Sequence, residues 1–151
     1  MDFNVIKLSP DDVAFAKQLI LFFQEDDGVA EPIVTSDAYL QELLAKESFH
    51  IVVAMKDGFL IGGATAYELD MYKKSVREMF LYEIAVKPAY RQTGVGAALI
   101  GKLKQLCSQR GIDEMYVGTT TPNLAAMKLY SSTGGELVAD IAWFVYQLEN
   151  K

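Results

Sequence analysis

The junction between Leu81-Tyr82-Glu83-Ile84-Ala85-Val86-Lys87-Pro88 and the amphipathic run that starts at Val95 constrains this chain more than any other feature. The first segment is rich in strand formers and stops at Lys87-Pro88, while Val95, Leu99, Leu103 and Leu106 recur at helical spacing until Gly111. Between them stands Arg91-Gln92-Thr93-Gly94-Val95-Gly96. A strand that turns through glycines into a helix leaves the first helical amides unpaired and pointing outward, where the helix dipole favours an anion such as a pyrophosphate. Glycines let the backbone approach a ligand, and Arg91 adds charge-assisted hydrogen bonds. A tight turn with no ligand has the same outline. Two rival phosphate motifs fail. A dinucleotide fingerprint needs a third glycine where Leu99 stands, and a Walker-type loop needs Gly-Lys-Ser/Thr where Gly96 is followed by Ala97-Ala98.

The rest of the chain supplies a sheet for this junction. Val5, Ile6 and Leu8 suggest a first strand, and Ser9-Pro10-Asp11-Asp12 reads as a helix start with Ser9 as N-cap. Val13, Ala16, Leu19, Ile20 and Phe23 follow at helical spacing until Glu25-Asp26-Asp27-Gly28. A second helix starts at Ser36 with Leu40, Leu43 and Leu44 inward. Strands over 49–55 and 59–67 flank Lys56-Asp57-Gly58, a strong hairpin signal, and a third strand covers 78–86. After the glycine loop and its helix, Met115-Tyr116-Val117 is a short strand. Thr121-Pro122 caps a helix bearing Leu124, Met127 and Leu129-Tyr130, which Gly134-Gly135 stops, and a last β segment covers 137–148. The order is β-α-α-β-β-β-α-β-α-β, one α/β domain over 1–151 around a mixed sheet.

Charge and cysteine usage narrow the function classes. Fourteen basic residues against twenty acidic ones give a net charge of −6, which disfavours a nucleic-acid groove and suits a cationic substrate. Cys107 is the single cysteine, so no internal disulfide forms and a reducing cytoplasm fits best. The N-terminus lacks a signal-peptide pattern, and no apolar run approaches the ~20 residues that span a bilayer. Cys107 sits among Leu103 and Leu106 and reads as core, and His50 in an apolar strand reads as structural. One His and one Cys leave no basis for a structural zinc site.

The strand 81–86 with Arg91-x-x-Gly94-x-Gly96 resembles the cofactor motif of the GNAT N-acetyltransferases. Asn123-x-x-Ala126-Met127-x-Leu129-Tyr130-x-x-x-Gly134 is similar to that family's second motif. The resemblance extends to the element order along nearly the whole chain. It implies an acetyl-CoA site in a V-shaped cleft, with the backbone of Ile84, Ala85 and Val86 along the pantetheine arm. It also implies that the Val86 amide polarises the acetyl carbonyl, that the amides of Gln92, Thr93, Gly94, Val95 and Gly96 hold the pyrophosphate, and that Asn123 contacts the cofactor arm. Gly135 departs from the pattern, because the family commonly has an aromatic residue there.

Direct attack of an amine on a thioester needs a base for the amine proton and an acid for the departing thiolate. At its place in the second motif, Tyr130 is the expected acid. Glu83, a carboxylate in an otherwise apolar strand, is the expected base or ammonium holder, with a solvent-facing acid as the plain alternative. Tyr82 alternates with Glu83, and either one can face the acceptor. Glu25-Asp26-Asp27 lies in the helix connection that often borders the acceptor pocket in the family, and Glu31, Glu68, Asp70 and Asp140 are candidates to add negative charge. Helix-end solvation is the bland reading of such a run.

Phe22-Phe23-Gln24-Glu25, Tyr39-Leu40-x-x-Leu43-Leu44, Ile61-Gly62-Gly63-Ala64-x-Ala66-Tyr67 and Tyr82-Glu83-Ile84-Ala85-Val86 are together similar to bacterial aminoglycoside 3-N-acetyltransferases. That subgroup has Asp at the position of Glu83. The resemblance implies an aminoglycoside acceptor and a homodimer paired through C-terminal strands. Another small amine, a protein N-terminus, or a non-catalytic CoA-binding module are the competing readings.

Overall fold

Asp57 and Gly58 take φ values of 50° and 81°, the two left-handed residues that a type I′ hairpin turn requires. In the computed structural model, which describes residues 2–149, this turn joins β2 (Phe49–Lys56) to β3 (Phe59–Asp70). β1 (Asn4–Lys7) pairs antiparallel with β2, and β4 (Arg77–Val86) pairs antiparallel with β3. β5 (Met115–Val117) lies parallel to β4, so the sheet runs β1-β2-β3-β4-β5.

Helices cover both faces of this sheet. α1 (Val13–Asp26) and α2 (Asp37–Leu44) bury Leu19, Phe22, Phe23 and Leu40 against Ile51, Val53 and Leu60 on one side. α3 (Val95–Gln109) buries Leu99, Leu103 and Cys107 against Val52, Ile61 and Leu81 on the other. β2 therefore reads as a nearly continuous apolar run, the pattern of a strand covered on both faces. Ser9 is the expected N-cap and also forms a capping box with Asp12, although the first turn (Pro10–Asp12) is 3-10 before α1 begins. Ser36 caps α2 by accepting from the Tyr39 amide.

Two irregularities depart from the sequence reading. In β4 the register slips: Thr65 opposes Glu83 while Ala66 opposes Leu81, leaving Tyr82 as the extra residue of a bulge. The expected last strand is not formed. After α4 (Leu124–Ser132), Gly134 takes φ +98° and residues 134–149 run exposed with no strand pairing. The strand signal in 137–148 was apolar content, and apolar content cannot supply a neighbour to pair with.

His50 and Glu68 are buried side by side at the end of the sheet where β2 starts and β3 finishes, away from Asp26 and Asp27. The His50 Nε2–H donates to Glu68 Oε2 at 2.8 Å, and the Arg110 Nε–H donates to both Glu68 oxygens at 2.8 and 2.9 Å. Burial pushes the His50 imidazole down and outweighs the carboxylate beside it, so the ring is neutral. Burial pushes Glu68 up, but its bonds from Arg110 and His50 outweigh that and hold it below the usual range. Glu68 is thus a structural anion and leaves the expected acceptor cluster. Glu68→Ala should cost about 3 kcal/mol in urea denaturation, at the low end for a broken buried pair because Arg110 can reach solvent.

Candidate active site

The glycine loop builds an anion cradle from backbone alone. A 3-10 turn (Pro88–Tyr90) follows β4, and Thr93 Oγ1–H donates to the Tyr90 carbonyl, which ties the loop back onto that turn. Gln92 and Gly94 take φ of 59° and 91°, so successive amides swing to the same side. Only Gly accepts that conformation cheaply, and Gln92 holds it under strain. Within α3 the first ladder bond runs from Ala98 N–H to the Gly94 carbonyl, so the amides of Val95, Gly96 and Ala97 have no intrahelical partner. Val95 is buried and anchors the helix start, while Arg91 to Gly94 stay exposed.

Gly96 has a use that the loop reading did not foresee. A Cβ there would lie 3.1 Å from Leu129 Cδ2, so its bareness lets α4 approach α3. The two glycines divide the work: Gly94 supplies the φ and Gly96 the packing. Gly135 is likewise demanded by geometry. Its amide closes α4 by donating to the Tyr130 carbonyl at 2.8 Å, and a Cβ would sit 2.8 Å from that same oxygen.

β5 pairs with β4 only at Met79, Phe80 and Leu81, so among the described residues β4 has no strand partner on that side over 82–86. This is the splayed cleft that the resemblance implied. The Lys87 N–H donates to the Ile61 carbonyl of β3 at 2.8 Å, so by strand alternation Val86 and Ile84 turn their backbone groups toward the cleft. Arg91 Nε–H takes the Val86 carbonyl at 2.9 Å, and its Nη2 donates to Asp26 Oδ1 at 2.7 Å. Arg91 is therefore a clasp between the end of β4 and the end of α1, and its guanidinium stays half exposed. Among the described residues no strand pairs with the Val86 amide on the cleft side.

Glu83 is half-buried, and the bulge at Tyr82 decides where it points. Met79 and Leu81 face α3, and so do Ile84 and Val86, which leaves Glu83 and Ala85 on the α1 face. Burial, then the charge and hydrogen bond of Asp27, then the charge of Asp26, push the Glu83 carboxyl up to about 7. Of the acidic run, Asp26 and Asp27 join Glu83, whereas Glu25 is exposed and adds nothing to its shift. Asp140 is not brought to this cluster. It lies on the exposed arm with φ +62°.

Tyr130 is partly buried on α4 against the α3 core, and burial pushes its phenol up. Asn123 Oδ1 accepts from the Ala126 amide at 3.2 Å and so caps α4, the place that the sequence had assigned to Thr121-Pro122. Tyr82 is exposed beside Glu83 in an aromatic row that sequence reasoning missed. Ring centroids run Tyr67–Tyr82 at 5.8 Å, Tyr82–Phe80 at 5.6 Å and Phe80–Tyr116 at 5.0 Å. Those residues come from three strands, and only cross-strand register unites them. Gln24 was also missed: its amide donates to the Ile33 carbonyl at 2.9 Å and accepts from the Ile33 N–H at 2.7 Å, pinning the loop after α1. A recess of about 370 Å³ between Asp70, Arg77 and Arg110 lies at the opposite end of β4 and forms no part of this site.

Comparison with known proteins agrees with this geometry. The acetyltransferase (GNAT) family model matches residues 16–134. Over 86 residues the chain is 35% identical to N-alpha-acetyltransferase 30 of Homo sapiens, covering 57% of this chain and 23% of that protein. It thus spans under a third of the length of that protein and of its mouse and Xenopus laevis counterparts. It is 32% identical over 106 residues to aminoglycoside N(6')-acetyltransferase type 1 of Salmonella typhimurium, covering 66% of this chain and 73% of that one. A solved aminoglycoside acetyltransferase from an uncultured soil metagenomic sample superposes with a TM-score of 0.91 at 31% identity, covering 99% of this chain and all of the other.

The contact between Gly96 and Leu129 yields a direct test of the cleft wall. Gly96→Val should lower stability by about 1–3 kcal/mol through overpacking, and adding Leu129→Ala should restore part of it in a thermal melt.

Proposed function

The chain belongs to the acetyltransferase (GNAT) family, and we propose that it acetylates an amine of an aminoglycoside by direct transfer from acetyl-CoA. One observation carries the reading: Glu83, with its proton poised near neutrality, stands between the unpaired edge of β4 and the carboxylates of Asp26 and Asp27. An open strand edge fits an extended amide-bearing arm, and the exposed nest at Gln92 to Gly96 fits a pyrophosphate. Three carboxyl groups at one place attract a polycation and orient its ammonium groups. The names of the Salmonella and soil-metagenome relatives support an aminoglycoside as that polycation.

When bound, acetyl-CoA supplies a thioester carbon open to an amine. In this reading Ile84, Ala85 and Val86 line its arm, and the amide of Val86 donates to the carbonyl oxygen as negative charge develops there. Arg91, by holding the Val86 carbonyl, keeps that amide aimed into the cleft. Asp26 and Asp27 hold the incoming ammonium, which gives its first proton to solvent and attacks as the neutral amine. Glu83 takes the proton that the nitrogen releases, and Tyr130, kept protonated by burial, gives one to the departing sulfur. Asn123 presents the start of α4 to the cofactor arm, and Tyr82 offers an aromatic wall to the sugar rings.

A panel of aminoglycosides, polyamines and short peptides, with thiol release as the readout, tests the acceptor. Acetylation confined to peptides would move the reading to a protein N-terminus, the chemistry in the name of the human relative. The sequence resemblance suggests the 3-amine, whereas the Salmonella relative is named for N(6'), and NMR of the product tells them apart.

Tyr130→Phe should lower kcat by about 100-fold while CoA affinity, followed by calorimetry, stays within about twofold. A base must be ionised, so kcat/KM should rise with pH through a midpoint near 7. Asp27→Asn removes a like charge and should shift that midpoint downward. Glu83→Gln should abolish the limb. A folded carboxyl raised to about 7 from 4.5 costs stability as pH climbs through that window, so Glu83→Gln should raise the Tm at pH 8 and leave it unchanged at pH 4.

A further inference from the structure

Coverage of the sheet is uneven on the side of α1 and α2. Those helices pack on β1, β2 and β3 and reach β4 only at Ala85, and no residue of β5 joins that core. Met79, Leu81, Met115 and Val117 turn toward α3, so by strand alternation Glu78, Phe80, Glu114 and Tyr116 share the opposite face. Phe80 and Tyr116 join neither core. Their rings lie within 22° of parallel, a cross-strand pair fixed by the register of β4 on β5. With Tyr82 they form an aromatic strip that leads away from Glu83.

The far end of this strip is acidic again. Glu78 lies near the start of β4, and Glu114 immediately precedes β5, where its carbonyl accepts from the Met79 amide at 2.9 Å. Glu78 is half-buried and Glu114 exposed. Burial, then the charges of Glu78 and Glu114, push the Tyr116 phenol up, so both carboxylates are close to that ring. Neither forms an ion pair among the described residues. Solvated acids commonly do no more than keep a chain soluble. These two close a strip whose other end carries Glu83 and, from the end of α1, Asp26 and Asp27.

We propose that the strip is the distal half of the acceptor site. A multi-ring aminoglycoside lies along Tyr82, Phe80 and Tyr116, with its reacting amine at Glu83 and a far ammonium group at Glu78 and Glu114. This rests on the aminoglycoside reading above and adds which members of that class are accepted. Apolar C–H faces of sugar rings pack on the aromatic carbons, and the phenols of Tyr82 and Tyr116 can hydrogen-bond ring hydroxyls. Ammonium groups are drawn to the carboxylates at both ends and to the rings between them. A flexible polyamine matches the two acidic ends poorly, because its thin chain leaves the rings wet and loses more conformational freedom on binding. A one-ring diamine fills only the Glu83 end.

Calorimetry on the CoA-loaded chain compares kanamycin, which has three rings, with 2-deoxystreptamine, its one-ring diamino core. The wild type should bind kanamycin about tenfold or more tighter than the core. Glu78→Gln combined with Glu114→Gln should weaken kanamycin by about tenfold and flatten its salt dependence, while affinity for the core moves by less than about twofold. In turnover of kanamycin the loss should fall on KM, with kcat changed by less than about twofold. Tyr116→Leu keeps the apolar bulk and should weaken kanamycin by about fivefold. A double variant with native circular dichroism that binds kanamycin like the wild type, or that weakens kanamycin and the core equally, overturns the proposal. So does a folded Tyr116→Leu with wild-type affinity. Failure of the underlying reading looks different: the wild type then acetylates no aminoglycoside, and the proposal falls with it.

Discussion

The extra residue at Tyr82 governs the chemistry of this fold. Without that bulge, strand alternation would place residue 83 on the same face as Met79 and Leu81, and a carboxylate would enter the apolar layer under α3. With it, Glu83 turns to the α1 face, where Asp27 and Asp26 raise its proton affinity to the neutral range. The bulge sits just where β5 stops pairing with β4, so one local irregularity both aims the carboxylate and begins the open edge. Bulges commonly sit beside active sites for this reason.

A second layer of organisation links the glycine loop to the end of α1. Arg91 spans from the Val86 carbonyl to Asp26, so a residue of the glycine loop reaches the end of α1. The ion pair is partly exposed and of little value to stability, but it fixes two ends of the cleft relative to each other. On the other wall, the contact that Gly96 permits with Leu129 brings Tyr130 and α3 into one packed unit. The glycine loop, Glu83 and Tyr130 thus share a frame made of α1, β4, α3 and α4.

Much of this was legible in residues read along the chain. Ser9 and Ser36 marked their helices, Asp57-Gly58 marked the hairpin, and the spacing of Leu99, Leu103 and Leu106 marked α3, because caps, turns and helical periodicity are local physics. Asn123, expected at the cofactor arm, also caps α4, since a short amide side chain finds its own backbone first. Arg91, expected at the pyrophosphate, also pairs with Asp26, a residue 65 positions away that no local rule could couple to it. Glu68 and Asp140 were grouped with the acidic loop by charge alone, but one is buried under Arg110 and the other stands on the arm.

What the sequence determined by itself was the alternation of strands and helices, the strand–glycine–helix junction and the residue types able to do amine acetylation. Those follow from short-range sterics, periodicity and side-chain chemistry. Only the tertiary structure decided which way Glu83 faces, how far β5 pairs, what Arg91 holds and whether the last apolar segment has a neighbour. Each of these is set by register between elements distant in sequence, and a single inserted residue in one strand is enough to reverse the face of everything after it.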